Sequence, residues 1–463
     1  MQLNHLKTGL LLLLISISFQ AFTQFTVVND SVLDQPDTTY KKRVLEHAEI
    51  SILNSLYGQQ GNNAATSGGI GTEKLMDVTP TIVVSIPLND DDVLSVDAGI
   101  SAYTSASSSN INPFDGRITD PFQASSGASS GDVWMNVTAT YAHSSDDRNK
   151  IWSAKTSVSN EFDYFSVGFG GGKAWLFNEK NTEFSIHSSI YLDQWKTIYP
   201  VELRPNRNDT TRYKIEDNGT INYEDDEHHF NINDYVITGD TNYNPVFSPF
   251  KSKGRNSYSV TVGFSQVLSK KVQFSISNDV IYQQGLLSTP FHRIHFADVN
   301  NSYIEGYHLA DDVERMPDTR IKYALGTRFN VYLSKTFVLR TFYRYYIDSW
   351  KIGAHTASLE LPIRLSDKFS LVPSYRFYTQ SATEYFAPYD THLSTEKYYT
   401  SDYDLSKFSS NQFGMGISYT DVMTKAHIWK LRLKSIDLQA NNYRRNTSFR
   451  AFLVAFGVKF IVD

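Results

Sequence analysis

The sequence predicts an all-β protein: a transmembrane antiparallel β-barrel of about 16 strands with long extracellular loops. Segments of about ten residues alternate apolar and polar side chains along most of the chain. Tight turns and long loops alternate between these segments, which is typical of an outer-membrane barrel. After the N-terminus, no run of about 20 apolar residues could cross a membrane as a helix.

The composition fits this fold class and excludes others. The 463 residues carry a net charge of −6, with 14% aromatic residues and no cysteine. Disulfide frameworks and thiolate metal sites are therefore excluded, and the aromatic content argues against disorder. A slightly acidic chain gives no reason to expect nucleic acid as a partner. A barrel combines many aromatics with a polar average because each strand shows one face to lipid and the other to the lumen.

The N-terminus is predicted to be a targeting segment followed by a barrel. Residues 1–23 resemble a secretory signal peptide, with Lys7 before a short apolar stretch and with Ala21 and Thr23 as the small residues before a cleavage site. An uncleaved N-terminal anchor is the alternative. Residues 24–44 are expected to form a periplasmic segment, and residues 45–463 are expected to form the barrel.

Sixteen segments are predicted as strands because apolar residues recur at every second position. They cover residues 46–57, 74–88, 92–106, 132–144, 150–160, 163–177, 182–196, 256–268, 271–285, 319–334, 336–349, 352–366, 369–381, 411–421, 429–443 and 448–463. In the clearest case, 319–334, Ile321 and Tyr323 alternate with Arg320 and Lys322.

Connection lengths distinguish a membrane barrel from a secreted sandwich or propeller. The long connections are 58–73, 107–131, 197–255, 286–318 and 382–410, and all are odd-numbered when counted from the first strand. The even-numbered connections are mostly tight turns, such as Ser269-Lys270 and Asp367-Lys368. Long loops at one end and short turns at the other predict a barrel that crosses the outer membrane.

The last two strands carry finer signals. A slip in the alternation at Ser435 predicts a β-bulge. Gly457, Phe460 and Val462 resemble the final-strand pattern that barrel-assembly machinery recognises during biogenesis, although Asp463 replaces the usual terminal aromatic residue. An ordinary amphipathic last strand is the alternative.

Charged residues concentrate at lumen-facing positions of four central strands. They are Arg320, Lys322, Arg328, Arg340, Arg344, Asp348, Glu360 and Arg376. One interpretation is a basic wall that favours anionic solutes. The other is a set of ion pairs that braces the barrel.

Hairpin geometry predicts which of these charges are neighbours. The tight turn between the first two of these strands places Asp348 opposite Lys322. The next two hairpins place Glu360 near Arg340 on one side and Arg376 on the other. These neighbours favour the bracing interpretation, because the acids lie beside the bases.

No catalytic, cofactor-binding or metal-ligating residue is predicted. His228 and His229 follow four acids in a polar loop, which either binds a divalent cation loosely or is simply solvated. His292, His295 and His308 have no spacing typical of a metal site.

Three further features have structural explanations. His187 shares the lumen face with Ser185, Ser189 and Glu183, as expected for a polar lumen rather than a catalytic triad. The glycine-rich stretch at 168–172 lacks the helix of a phosphate-binding loop and predicts a thin strand or a tight contact. The loop 382–410 contains five tyrosines, which either pack on themselves or stack against a sugar.

Several linked motifs resemble one known family. They are ATSGGIGTE at 65–73, YTSAS at 103–107, YRYYIDSW at 343–350, AHT at 354–356 and YRFYTQSA at 375–382. Together they resemble an uncharacterised bacterial family of outer-membrane barrels, a domain of unknown function, over about residues 40–463. The resemblance implies export and a barrel and assigns no catalytic residue. It makes Arg344, Asp348, His355 and Arg376 the candidates for a shared role, with structural bracing as the alternative.

The sequence therefore predicts an outer-membrane channel for polar small solutes, with membrane lipid as its surroundings, and one interpretation of its charged wall is that these solutes are anionic. The alternative is a non-conducting barrel that serves as a scaffold for a secretion or cell-surface complex. A lipid-modifying barrel enzyme is the least favoured class. The solute or protein partner, the oligomeric state and whether loop 197–255 fills the lumen are left open.

Overall fold

The structure is a computed structural model. It describes residues 43–104, 132–204, 232–421 and 426–462, and the backbone of 214–215 and 221–222. Residues Arg43–Asp463 belong to one compact unit. The predicted signal peptide lies outside the described residues, as does all but the end of the predicted periplasmic segment.

Sixteen long strands of the described chain form one closed antiparallel β-barrel, which confirms the predicted fold class. They are β1 (Glu49–Gln60), β2 (Leu75–Pro87), β3 (Asp92–Tyr103), β4 (Asp132–Ser144), β5 (Lys150–Asn160), β6 (Tyr164–Phe177), β7 (Thr182–Trp195), β8 (Gly254–Ser269), β9 (Val272–Gly285), β10 (Thr319–Tyr332), β11 (Val338–Asp348), β12 (Gly353–Glu360), β13 (Phe369–Gln380), β14 (Phe408–Thr420), β15 (Leu431–Arg445) and β16 (Arg450–Val462). The ring closes where β16 pairs with β1, from Ile461 opposite Glu49 to Arg450 opposite Gln60. Closure leaves no free edge in the ring.

The outer face of the barrel is apolar. Ile321, Phe413 and Phe456 are 53%, 63% and 44% exposed. Such residues follow the period-two alternation of their strands, so their exposure on one face marks the surface that meets lipid. No helix among the described residues is long and apolar enough to cross a membrane.

The two ends of the barrel differ as predicted. Short connections join strands at one end, here called the turn end. The strand ends that flank the long connections 61–74, 104–131, 196–253, 286–318 and 381–407 all lie at the other end, the loop end. The predicted bulge is also present, because the pairing of β15 with β16 shifts between Leu433 and Ser435.

One predicted strand is interrupted. The alternation at 352–366 predicts a single strand, but β12 ends at Glu360 and pairing with β13 resumes only at Ile363–Arg364. Pro362 lies between the two pieces and has no N–H to donate to a neighbouring strand.

Many of the most deeply buried apolar side chains lie in the loops. Leu203, Ile294, Phe296 and Val313 are each at most 1% exposed. Short strands support this layer: Arg293–Ile294 pairs with Asp312–Val313, and Ser302–Ile304 pairs with Ile237–Gly239 and Tyr307–His308. Because the barrel wall turns its apolar face outward, the loops supply much of the buried apolar core.

Candidate functional site

The lumen wall of β5 to β10 is built from small and polar residues. Gly168 lies on this face of β6, and a Cβ added there would come within 2.6 Å of the Tyr191 ring on β7. The glycine-rich stretch is therefore a thin strand that leaves space for side chains of the neighbouring strands.

A cavity of about 220 Å³ opens beside β7 to β11, lined by Glu183, Ser185, Gly263, Ser275, Ser277 and Arg328 among others.

The predicted lumen-facing charges divide along the barrel axis. Arg320 and Lys322, near the loop end, are only 5% and 6% exposed. Arg340 and Glu360, near the turn end, have side chains that are 52% and 45% exposed. The lumen face is thus covered at the loop end and open to solvent toward the turn end.

At the loop end, buried Asp348 has the predicted neighbour and one that was not predicted. Asp348 lies directly opposite Lys322 in the β10–β11 register, as predicted. Its carboxylate, however, accepts a hydrogen bond of 2.9 Å from Arg320 Nε. The guanidinium of Arg320 also lies 4.1 Å from the Trp350 ring, which fixes its plane.

Two further ion pairs on the lumen wall have long separations. Arg340 lies opposite Glu360, and their charged atoms are 3.6 Å apart. Arg344 reaches Asp279 on β9 at 3.9 Å. These separations are too long for strong hydrogen bonds, so the pairs neutralise charge without holding their side chains rigidly.

The predicted position of Arg376 is wrong by two residues. Arg376 pairs with Ser358, and Glu360 pairs with Ser374. The register is the same on both sides of the interruption, from Ala354 opposite Gln380 to Arg364 opposite Ser370, so the turn before β13 sets it. Arg376 and Arg328 form no ion pair with any residue that the structure describes, and Arg328 lies 5.7 Å from the Phe342 ring. Two cations on this wall are thus unneutralised by close acids.

His355, a motif residue, lies on the outer face rather than in the lumen. Its Nδ1 is 2.7 Å from the Tyr343 hydroxyl, and its ring is 5.1 Å from that of Tyr345. This part of the motif therefore contributes to an exposed aromatic patch on the barrel surface.

Loops pack against the lumen wall at the loop end. The lumen-facing residues Ala324, Tyr346 and Tyr378 form one buried apolar cluster with the loop residues Met316 and Leu405. These contacts narrow the mouth from within, because the loop side chains lie against the inner face of the strands.

Polar contacts join the loops to one another. Arg293 in the β9–β10 loop donates at 2.7 Å to Glu202 in the β7–β8 loop and at 2.8 Å to the Thr66 carbonyl in the β1–β2 loop. Tyr399 in the β13–β14 loop donates at 2.6 Å to buried Asp312. Four loops thus form one packed layer.

The tyrosine-rich loop takes part in this layer. Tyr385 packs on Tyr398 with ring centres 5.5 Å apart, and Tyr399 packs edge-on against Phe296 at 5.1 Å. Tyr389 contacts His295 at 4.9 Å. These contacts favour loop packing over a sugar-stacking platform.

Burial shifts the pKa values of titratable groups in the loop layer. Burial, with help from neighbouring His308, lowers the pKa of His295 to about 3, so the ring is neutral. Burial raises the pKa of Asp311 to about 6, although its carboxylate accepts a hydrogen bond of 2.8 Å from the Phe296 amide.

One cluster of metal-ligand type was not predicted from the sequence. His292, Glu314 and Asp402 come together in the loop layer, each with one ligand atom within 4.8 Å of the others. Sequence spacing could not reveal it, because the residues come from separate segments of two loops. The other histidine pair considered, His228 and His229, lies outside the described residues.

The comparisons with known proteins give one family and several structural neighbours. A family model described as "Protein of unknown function (DUF3570)" matches residues 118–448. No curated protein matches the chain. A bacterial polysaccharide outer membrane secretin is similar, with 12% identity, a TM-score of 0.44 and coverage of 90% of this chain and 99% of that one. The TodX monoaromatic hydrocarbon channel deltaS2 mutant has 7% identity, a TM-score of 0.38 and coverage of 90% and 91%. OccK1 (OpdK) from Pseudomonas aeruginosa has 7% identity, a TM-score of 0.36 and coverage of 90% and 98%.

Proposed function

Since the chain belongs to the DUF3570 family of unknown function, as its motifs indicated, we propose from the structure of its lumen that it is an outer-membrane channel for small polar solutes. The observation that carries the proposal is the closed ring with an apolar outer face and a polar inner face. A ring of about sixteen strands is wide enough for water to pass unless loops fill it.

The charges on the lumen wall favour anionic solutes. Arg328 and Arg376 have no ion-pair partner among the described residues, and the partners of Arg340 and Arg344 lie at 3.6 and 3.9 Å. A solute carboxylate or phosphate entering this part of the lumen would meet cations that are incompletely neutralised. Glu183 beside the wall cavity offers an acceptor for a hydroxyl or amine of the same solute.

Single-channel recording in a planar bilayer with a salt gradient tests this proposal. We expect an open channel whose reversal potential indicates anion preference. Arg328→Glu with Arg376→Glu should move the reversal potential toward cation preference. Arg364→Glu is the matched control, because Arg364 is 60% exposed beyond the end of β12 and pairs with Asp367.

Two outcomes would contradict the proposal at different levels. If the unaltered protein prefers cations, the proposed anion preference is wrong, but the proposed channel stands. Absence of conductance at every voltage would remove the channel and favour the second candidate, a closed scaffold for a secretion or surface complex. The packed loop layer, in which Arg293 joins three loops, is the observation that favours this second candidate.

A further inference from the structure

Two of the loops that cover the mouth bring together side chains able to bind a metal ion. His292 and Glu314 lie in the β9–β10 loop, and Asp402 lies in the β13–β14 loop. We propose that these three side chains bind one divalent cation of the zinc class, which joins the two loops. This inference goes beyond the proposed channel and does not depend on it.

The backbone brings the three residues together. The short strand that follows His292 pairs antiparallel with the one that precedes Glu314, and the Glu314 amide donates to the His292 carbonyl at 2.9 Å. Arg315 and Tyr399 then exchange backbone hydrogen bonds of 3.0 and 2.8 Å. A segment of the second loop therefore lies beside Glu314 and leads into Asp402.

The imidazole of His292 has an unused nitrogen. The residue is 6% exposed, and its buried Nδ1 has no hydrogen-bond partner. The nearest acidic atom, Glu314 Oε2, lies 3.6 Å away, which is too far for a hydrogen bond. A buried nitrogen without a partner costs free energy, and a metal ion would satisfy its lone pair.

The two carboxylates are held by hydrogen bonds from outside the set. Glu314 accepts from the Thr289 amide at 2.8 Å and from the Thr400 hydroxyl at 2.6 Å. Asp402 accepts from the Asp404 amide at 2.8 Å through Oδ1. Such supporting partners orient the ligands of protein metal sites and tune their affinity.

The donor set favours zinc over calcium or magnesium. One imidazole nitrogen with two carboxylate oxygens suits Zn²⁺, whereas calcium and magnesium prefer oxygen ligands alone. Zinc bound at about 2.1 Å would draw tetrahedral ligand atoms to roughly 3.4 Å from one another. The three ligand atoms lie within 4.8 Å of one another, so a bound zinc would need them to move closer together. Asp402 can make this movement because it is only partly buried, and its exposed side also gives the ion access to the site.

Charge balance supports the same assignment. A metal ion binds the deprotonated ligands, and that set would carry a charge of −2, which one divalent cation neutralises. An ion pair between protonated His292 and Glu314 is the competing arrangement. It predicts no stoichiometric zinc binding, so a binding measurement separates the two.

The test uses the full chain in detergent after removal of metal with a chelator. Zinc binding is measured by isothermal titration calorimetry and by elemental analysis after dialysis. We expect one tightly bound zinc per chain. Glu314→Gln and Asp402→Asn keep the shape and one oxygen to accept from the Thr289 and Asp404 amides, and each should raise the zinc Kd at least tenfold.

Controls separate this site from other candidates. Asp311→Asn changes a buried carboxylate in the same loop that lies outside the set, and should leave zinc binding unchanged. His228→Ala with His229→Ala removes the other candidate histidines and should also leave it unchanged. Heat-dependent gel mobility checks that each barrel is folded.

A further variant covers the event that a ligand substitution prevents folding. Thr400→Val keeps all three ligands and removes the hydroxyl that orients Glu314, so zinc affinity should fall by about 10- to 100-fold. Zinc binding that survives the combined Glu314→Gln and Asp402→Asn change would overturn the proposal. Loss of binding in the His228→Ala, His229→Ala variant alone would do the same, as would absence of binding by the unaltered chain.

Discussion

The carboxylate of Asp348 joins two strands and a tight turn at the loop end. It accepts hydrogen bonds of 2.9 Å from Arg320 Nε and the Tyr346 hydroxyl, and of 3.0 Å from the amides of Trp350 and Ile352. The side chains of Arg320 and Asp348 are 6% and 0% exposed. We therefore predict that Asp348→Ala strongly lowers the free energy of unfolding.

The ion pair and hydrogen bonds of Asp348 determine how far its removal lowers the free energy of unfolding. Removing one partner of a buried ion pair costs about 3–5 kcal/mol, because the other charge stays buried and unpaired. Each backbone amide left without an acceptor adds about 1–3 kcal/mol, unless water enters the space of the lost carboxylate. We expect about 5 kcal/mol for Asp348→Ala. Asp348→Asn keeps an acceptor for the amides but leaves Arg320 without its counter-charge, so we expect about 3 kcal/mol.

Urea unfolding from phospholipid vesicles, followed by tryptophan fluorescence and gel mobility, measures these differences. Asp367→Asn is the control, because Asp367 is 89% exposed in a turn and pairs with exposed Arg364. Such a surface pair contributes less than about 1 kcal/mol. If Asp348→Ala lowers the free energy of unfolding by no more than Asp367→Asn does, the reasoning is refuted.

Three further predictions concern other parts of the molecule. The pKa of Asp311 is raised from 3.8 to about 6, so the folded loop layer holds this proton more tightly than the unfolded chain and loses stability as pH rises through that window. Amide hydrogen exchange in the loops, corrected for intrinsic rates, should show this loss of stability, and Asp311→Asn should abolish its dependence on pH. Gly168→Val should lower the free energy of unfolding by about 1–3 kcal/mol by displacing Tyr191, measured by urea unfolding. Gly254→Ala should be tolerated, because the nearest atom to its added Cβ is at 3.7 Å. Trp429, which is 95% exposed at the turn end, should lie at the membrane interface and be quenched by brominated lipids, and absence of quenching would contradict that placement.

Local pattern predicted much of the barrel. Side-chain alternation is a property of each strand alone, so it identified the sixteen segments and the phase slip at Ser435. A tight turn fixes the register of its hairpin, which is why Asp348 was placed correctly opposite Lys322. The same reasoning failed for Arg376 because the turn before β13 spans Ser366 to Lys368, one residue more than the two-residue turn that the sequence suggested.

Register alone could not decide which charges touch. A long arginine side chain reaches past its direct cross-strand position, so Arg320 donates buried hydrogen bonds to Asp348 although Lys322 is the residue opposite it. Similarly, Arg344 reaches Asp279 on β9, two strands away, which no hairpin rule connects to it. The choice among partners depends on side-chain reach and on which positions the loops cover.

The sequence by itself therefore determined the fold class, the strand segments and the end of the barrel that carries the long loops. Those features follow from the alternation of neighbouring residues and from connection length, which are local. Only the tertiary structure decided that the loops pack into the mouth, that buried and exposed charges divide along the lumen, and that His292, Glu314 and Asp402 meet. These arrangements depend on contacts between residues far apart in the chain, and no spacing rule fixes where long loops bury their apolar side chains.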